Sequence, residues 1–191
     1  MSAQEYILHF PLGGKIYLAA NEWQVWGSQD EDTNSKPPDL EHGSHKVLVP
    51  FAWWRSHFQG HQQNSDVLAK AKNGQIGVWF AADDDILKHA DVIEAGKKVW
   101  PLVAAHFPIF RDGRSFSTAA ILRDRLGWDK EIRMIGDVLI DQLLQGARVG
   151  FDSFELRPDQ DLTVAQKQFD IFTVTTQNSW RAKRTVMSVL K

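Results

Sequence analysis

From residue 76 onward, short apolar runs alternate with segments of helical periodicity, and no other feature of the chain restricts its fold so strongly. Ile76 to Phe80 is an apolar run, followed by Ala82-Asp83-Asp84-Asp85 and a helical stretch to about Val99 in which Ile86, Ala90 and Ile93 share a face. Leu102 to Phe107, Ile132 to Ile135 and Phe151 to Leu156 repeat the strand pattern; Thr118 to Leu126, Leu139 to Val149 and Leu162 to Phe172 repeat the helical one. Alternation at this spacing builds a parallel sheet from βα units. About four units are too few for a closed eight-stranded barrel, so an α/β fold with an open parallel sheet or half-barrel is expected.

Ahead of this region, Tyr6 to Phe10 and Lys15 to Ala19 alternate around Leu12-Gly13-Gly14, which predicts a small N-terminal β-hairpin appendage. Gly27 to Lys46 is acidic, carries paired prolines and has almost no apolar side chain, the composition of a mobile loop. Pro50 stands where a helix N1 proline would, ahead of Phe51 to Arg55. Residues 1–50 therefore read as hairpin plus mobile polar loop, 51–175 as the α/β domain, and 176–191 as a basic tail. Its cluster Trp180-Arg181-Ala182-Lys183-Arg184 is most simply solvated, or else a docking element.

Composition narrows the function classes. A length of 191 residues with 43% hydrophobic and 24% charged residues fits one domain with a real core. Eight Trp are more than usual, and several are expected at surfaces or partner contacts. A net charge of -2 excludes a general nucleic-acid binder. With no Cys, the chain offers no disulfide, no thiol nucleophile and no thiolate for an iron–sulfur cluster. It shows no secretory signal and no apolar run of membrane length, so a cytoplasmic protein without a membrane partner is expected. Dinucleotide, phosphate-loop and nucleophile-elbow motifs are missing; flavin, which needs no single local motif, stays open as a cofactor.

Ligands of parallel α/β folds collect at the carboxyl ends of the strands. That rule gathers Asp83, Asp84, the turn Arg111-Asp112-Gly113-Arg114-Ser115, Asp137 and Arg157 on one edge. Arg111, Gly113, Arg114, Ser115, Ser117 and Arg157 have the chemistry of an oxyanion site: planar donors, close backbone approach, and hydroxyls near a helix N-terminus. The plainer alternative is a turn with an N-cap, its arginines solvated or paired to Asp112. Asp137 after Gly136 can act as acid or base, or cap the next helix. Asp141 and Gln145 fit helical pairing, and Glu155 and Arg157 share a strand face that suits an ion pair. His57 and His61 have i, i+4 spacing but no third ligand, His42 and His45 lie in the polar loop, and no metal is expected; His106 lies within reach of the anion.

Three strings in order carry a resemblance: Phe107-Pro108 with Asp112-Gly113-Arg114, then Gly136-Asp137-Val138-Leu139 with Asp141-Gln142, then Gly150-Phe151-Asp152 with Phe154-Glu155-Leu156. Over residues 76–160, and more loosely at Trp23 and Val47 to Trp54, the chain resembles the bacterial family domain of unknown function 934, labelled an oxidoreductase of sulfite reduction. Asp112, Gly113, Arg114, Gly136, Asp137, Asp141 and Gln142 match its motif. Ile109 stands where a lysine is frequent and Val149 where a cysteine is frequent, so neither amine nor thiol is essential there. The resemblance implies sulfite or sulfate assimilation, with sulfite reductase or another enzyme of that chemistry as partner. The role is then that of an accessory protein that binds a small oxyanion or docks on the reductase. The alternatives are a small oxidoreductase or lyase-like enzyme with Asp137 as acid–base and Arg114 as oxyanion stabiliser, and a non-catalytic binding domain unrelated to sulfur.

Overall fold

The structure is a computed structural model that describes residues 5–28, 46–58, 65–172 and 178–181. The greater part of the predicted mobile loop lies outside the described residues, as do His42, His45 and His61.

The strands are β1 (Tyr6–His9), β2 (Tyr17–Ala20), β3 (Trp23–Val25), β4 (Lys46–Pro50), β5 (Ile76–Phe80), β6 (Leu102–Phe107), β7 (Glu131–Gly136) and β8 (Ser153–Phe154). They form one sheet in the order β2-β1-β8-β7-β6-β5-β4-β3, parallel from β3 to β8 and closed at one side by the antiparallel hairpin β1–β2. Each parallel strand lies beside its predecessor, and right-handed crossovers then put every helix on the same face. Those helices are α1 (Phe51–Phe58), α2 (Ser65–Lys72), α3 (Ala90–Gly96), α4 (Arg114–Asp124), α5 (Leu143–Val149) and α6 (Leu162–Gln166).

The half-barrel curl has a cause in the connectivity. β2 and β3 are the two edges of the sheet, yet only Asn21 and Glu22 separate them in sequence. Eight strands laid flat would hold the edges about 34 Å apart. A two-residue connection reaches about 11 Å. The sheet has to roll up.

Rolling gives two buried faces. Val47, Val78, Phe80, Val103, Phe107, Ile132, Met134 and Phe154 meet the helices in the larger core; Trp23, Leu48, Trp79, Leu102, Ala104 and Ile135 fill the concave side. β5 is accordingly buried along its whole length, as parallel strands covered on both faces are. Seven of the eight Trp are buried in these cores, and Trp180 is half-buried. The expectation of Trp at partner contacts is thereby corrected: two cores, not a partner, take them up.

The concave side also holds a buried polar network. Arg133 donates to Glu131 Oε1 from Nε and Nη2 (3.1 and 2.9 Å) and to Asn21 Oδ1 from Nη1 (3.0 Å). Ser153 Oγ donates to Glu131 Oε1 at 2.5 Å, and Asn21 Nδ2 to Glu155 Oε2 at 3.2 Å. Asn21 thus ties the edge connection to β7 and the exit of β8. On the helical side, buried Arg123 donates to the carbonyls of Gly150, Trp128 and Lys130 and to Asp152. Asp152 also receives Ile132 N–H (3.0 Å) and Arg181 Nη2 (3.3 Å). Trp180 N–H donates to Arg148 O at 2.9 Å, and the Arg123 guanidinium lies 4.1 Å from the Trp180 ring. The start of the tail is therefore docked on its own domain, not solvated; Lys183 and Arg184 lie outside the described residues.

Some element ends differ from expectation, while the start of α6 at Leu162 agrees with it. The helix predicted from Thr118 begins at Arg114, so Arg114, Ser115 and Ser117 belong to its first turns. The one predicted from Leu139 opens as a 3₁₀ turn, Ile140–Gln142, before α5. α6 starts where Asp161 Oδ1 accepts from Thr163 N–H (2.7 Å) and Val164 N–H (3.2 Å). Pro50 closes β4 instead of opening α1.

Candidate functional site

At the carboxyl ends of β6, β7 and β8, three connections meet. Gly136 makes this possible: its φ is +96°, and an added Cβ would stand 2.4 Å from Phe107 O and 2.9 Å from the His106 ring. Free of a side chain there, β7 turns so that Asp137 N–H donates to Phe107 O at 2.8 Å.

Asp137 then joins two of these connections. Its Oδ2 accepts Phe110 N–H at 2.8 Å, and its Oδ1 accepts Arg157 Nη1 at 2.9 Å. Gln142, buried in the 3₁₀ turn, holds the same loop from the other direction: Nε2 donates to Phe110 O (3.0 Å) while Oε1 accepts Leu139 N–H (3.0 Å). Both polar groups of the Phe110 backbone are thus fixed by side chains, and its ring is left 42% exposed beside Ile109 at 45%. Asp137 does not cap a helix.

The predicted anion contacts differ in how they are engaged. Arg111 is exposed and forms no ion pair with another described residue. Arg114 and Arg157 are engaged. Arg114 grips Asp112 through Nε (3.0 Å to Oδ1) and Nη2 (2.7 Å to Oδ2); Arg157 reaches Asp137 and, through Nε and Nη2, Asp159 (2.6 and 2.8 Å). Their hydrogen bonds hold the Asp112 and Asp159 carboxyls down at about 2. Ser115 is buried and gives its proton to His106 O at 2.6 Å, so its hydroxyl serves the fold. Gly113 is the N-cap of α4 and Ser117 is exposed on its first turns. Asp141 is exposed and has no ion-pair partner among the described residues. Glu155 and Arg157 are not paired with each other: Glu155 takes Asn21, Arg157 the two aspartates.

His106 lies on the concave side, its ring 5.3 Å from that of Trp79. Burial pushes its imidazole below the usual value, so at neutral pH it is an uncharged ring and not a cationic partner for an anion. His57 stacks on Trp53 and its Nδ1 lies 2.9 Å from Trp53 O. Among the described residues no three His, Asp or Glu gather to hold a metal.

Next to the rim, a cleft of about 220 Å³ runs between the β5–α3 connection and α4. Asp84 and Asp85 line one side and Arg114, Ser117 and Thr118 the other, over an apolar floor that includes Ile86 and Ile121. The volume of the cleft lies below the roughly 300–1,000 Å³ of sites for drug-sized ligands. Thr118 escaped the sequence reading because a threonine at an internal helix position carries no signal of its own. Gln142 was found only through the motif.

No helix among the described residues is long and apolar enough to cross a membrane. No curated protein and no solved structure matches the chain. The family model described as bacterial protein of unknown function (DUF934) matches residues 77–187, more than half of the 191, from Gly77 in β5 through β8, the rim and the docked tail. The chain belongs to the DUF934 family.

Proposed function

We propose that this protein is an accessory oxyanion-binding protein of sulfite or sulfate assimilation, which takes its anion at the rim through Arg111, with Arg114 and Arg157 in support. The observation that carries this reading is the Asp137 junction. One carboxylate anchors both the loop that bears Arg111 and Arg114 and the β8 exit that bears Arg157. Arg111, without an ion pair among the described residues, beside two guanidiniums held in place by carboxylates, suits a small oxyanion, and the label of the resembled family favours sulfite or sulfate. Docking on a reductase is the related role, with exposed Ile109 and Phe110 at the tip of the loop.

The enzyme reading has less support. Asp137 already accepts a hydrogen bond on each oxygen, so as a base it would first have to release Phe110 or Arg157.

Thermal-shift titration with sulfite, sulfate and phosphate tests the reading. A saturable rise in Tm is expected, weakened several-fold in Arg111→Ala. Asp112→Asn, which frees the Arg114 guanidinium, is expected to tighten binding. No response to any of the anions, or no change in either variant, overturns the proposal. Visible absorption of the purified protein would point instead to a cofactor-bearing enzyme.

A further inference from the structure

The cleft beside the rim carries more information than an inorganic anion would need. Thr118 is only 6% exposed, and its residual surface opens into this cleft. A threonine inside a helix commonly turns its hydroxyl back to the carbonyl one turn earlier. Thr118 has no such bond and no other hydrogen-bond partner among the described residues. The hydroxyl is not one of the fully buried unpaired atoms of the structure, so it keeps access to the cleft and is available to a ligand there.

Charge is distributed across the cleft with opposite signs. Asp84 and Asp85 come from the β5–α3 connection, Arg114 from the first turn of α4. Asp84 accepts Ala81 N–H through Oδ2 at 2.7 Å, while its Oδ1 has no described hydrogen-bond donor. Burial raises its carboxyl above the usual range, against the Ala81 N–H and the Arg55 charge, so a cation arriving there is favoured. A bare oxyanion would face two carboxylates. A bare amine would face a guanidinium. The floor, with Ile86 3% exposed and Ile121 half-buried, is apolar.

We infer that the cleft binds a small zwitterion, an α-amino acid with an apolar side chain. Its carboxylate meets Arg114, its ammonium meets Asp84 and Asp85, its side chain lies on Ile86 and Ile121, and Thr118 supplies the remaining hydrogen bond. The inference rests on the reading of Arg114 as an anion contact and names a second ligand class for that side chain.

Calorimetric titration of the full chain with L-leucine and L-methionine tests it, with isovalerate (no amine) and isoamylamine (no carboxylate) as controls. Saturable binding of an amino acid is expected, with both controls much weaker. Thr118→Val, which keeps the shape of the side chain, is expected to weaken binding about tenfold. Asp84→Asn should do so at least as strongly. Failure of both amino acids to saturate, or equal binding in Thr118→Val and Asp84→Asn, overturns the inference. Sulfite run in parallel separates the two proposals. A sulfite response lost in Arg111→Ala but kept in Thr118→Val, without amino-acid binding, leaves the oxyanion reading standing and this one rejected.

Discussion

Asp137 and Arg157 meet at the rim with Oδ1 2.9 Å from Nη1, while the other oxygen of the same carboxylate holds Phe110 N–H at 2.8 Å. The ion pair is partly solvated and adds little to stability by itself. Its effect is on position: the loop after β6 and the exit of β8 cannot move apart while Asp137 is intact.

Asp137→Ala should therefore cost about 1 kcal/mol through the lost Phe110 bond and loosen the loop far more than it destabilises the domain. Hydrogen exchange at the Phe110 amide is the measurement, with a marked rise expected in the alanine variant. Asp137→Asn keeps an acceptor and should stay close to the parent.

Gln142 is the complementary clamp and the more deeply buried one. Gln142→Leu removes the partners of Phe110 O and Leu139 N–H together, and a loss of about 1–3 kcal/mol is expected. Denaturant titration would read it as a lower midpoint at unchanged slope.

Gly136→Ala meets both a left-handed φ and a backbone oxygen within 2.4 Å of the new Cβ. Strain of this kind costs roughly 1–3 kcal/mol. The variant should melt lower and shift the NMR resonances of His106 and Phe107, whereas alanine at Gly113, where a Cβ meets nothing closer than 3.6 Å, should leave both unchanged.

Glu131 and Glu155 share one network but respond to pH with opposite sign. Burial alone would raise Glu131; His9, Arg133 and Ser153 outweigh it and hold the carboxyl at about 2. Its contribution is fully present above the ordinary value of 4.5 and is lost as pH falls toward 2, on the order of 3 kcal/mol in all. Glu155 is raised by burial, against Arg133 and Asn21, so its contribution is present below 4.5 and lost as pH rises through the raised value. Tm measured against pH should fall less steeply on the acid side in Glu131→Gln, the remainder coming from other lowered carboxyls such as Asp112 and Asp159. Glu155→Gln should be at least as stable as the parent at pH 7.

What the sequence made legible was local. Apolar runs such as Ile76 to Phe80 announced the parallel strands, because both of their faces are buried. Trp23–Val25 went unread because three residues are too few for a period, and Lys46–Pro50 because it abuts a polar stretch and ends in proline. The rim could be placed from the strand ends alone. Which charges neutralise which could not: Arg157 turns to Asp137, 20 positions away, and Asp159 rather than to Glu155. Arg133 is invisible as a buried hub until Asn21, 112 positions earlier, is brought to it by the rolled sheet.

The short step through Asn21 and Glu22 also bears on how the chain is made. The hairpin is synthesised before β8, and its place beside that strand, Leu8 against Phe154, does not exist until the rest of the sheet has been made. At cellular elongation rates that interval is on the order of ten seconds. Ile7 and Leu8, buried in the finished fold, lack their β8 partner for that interval.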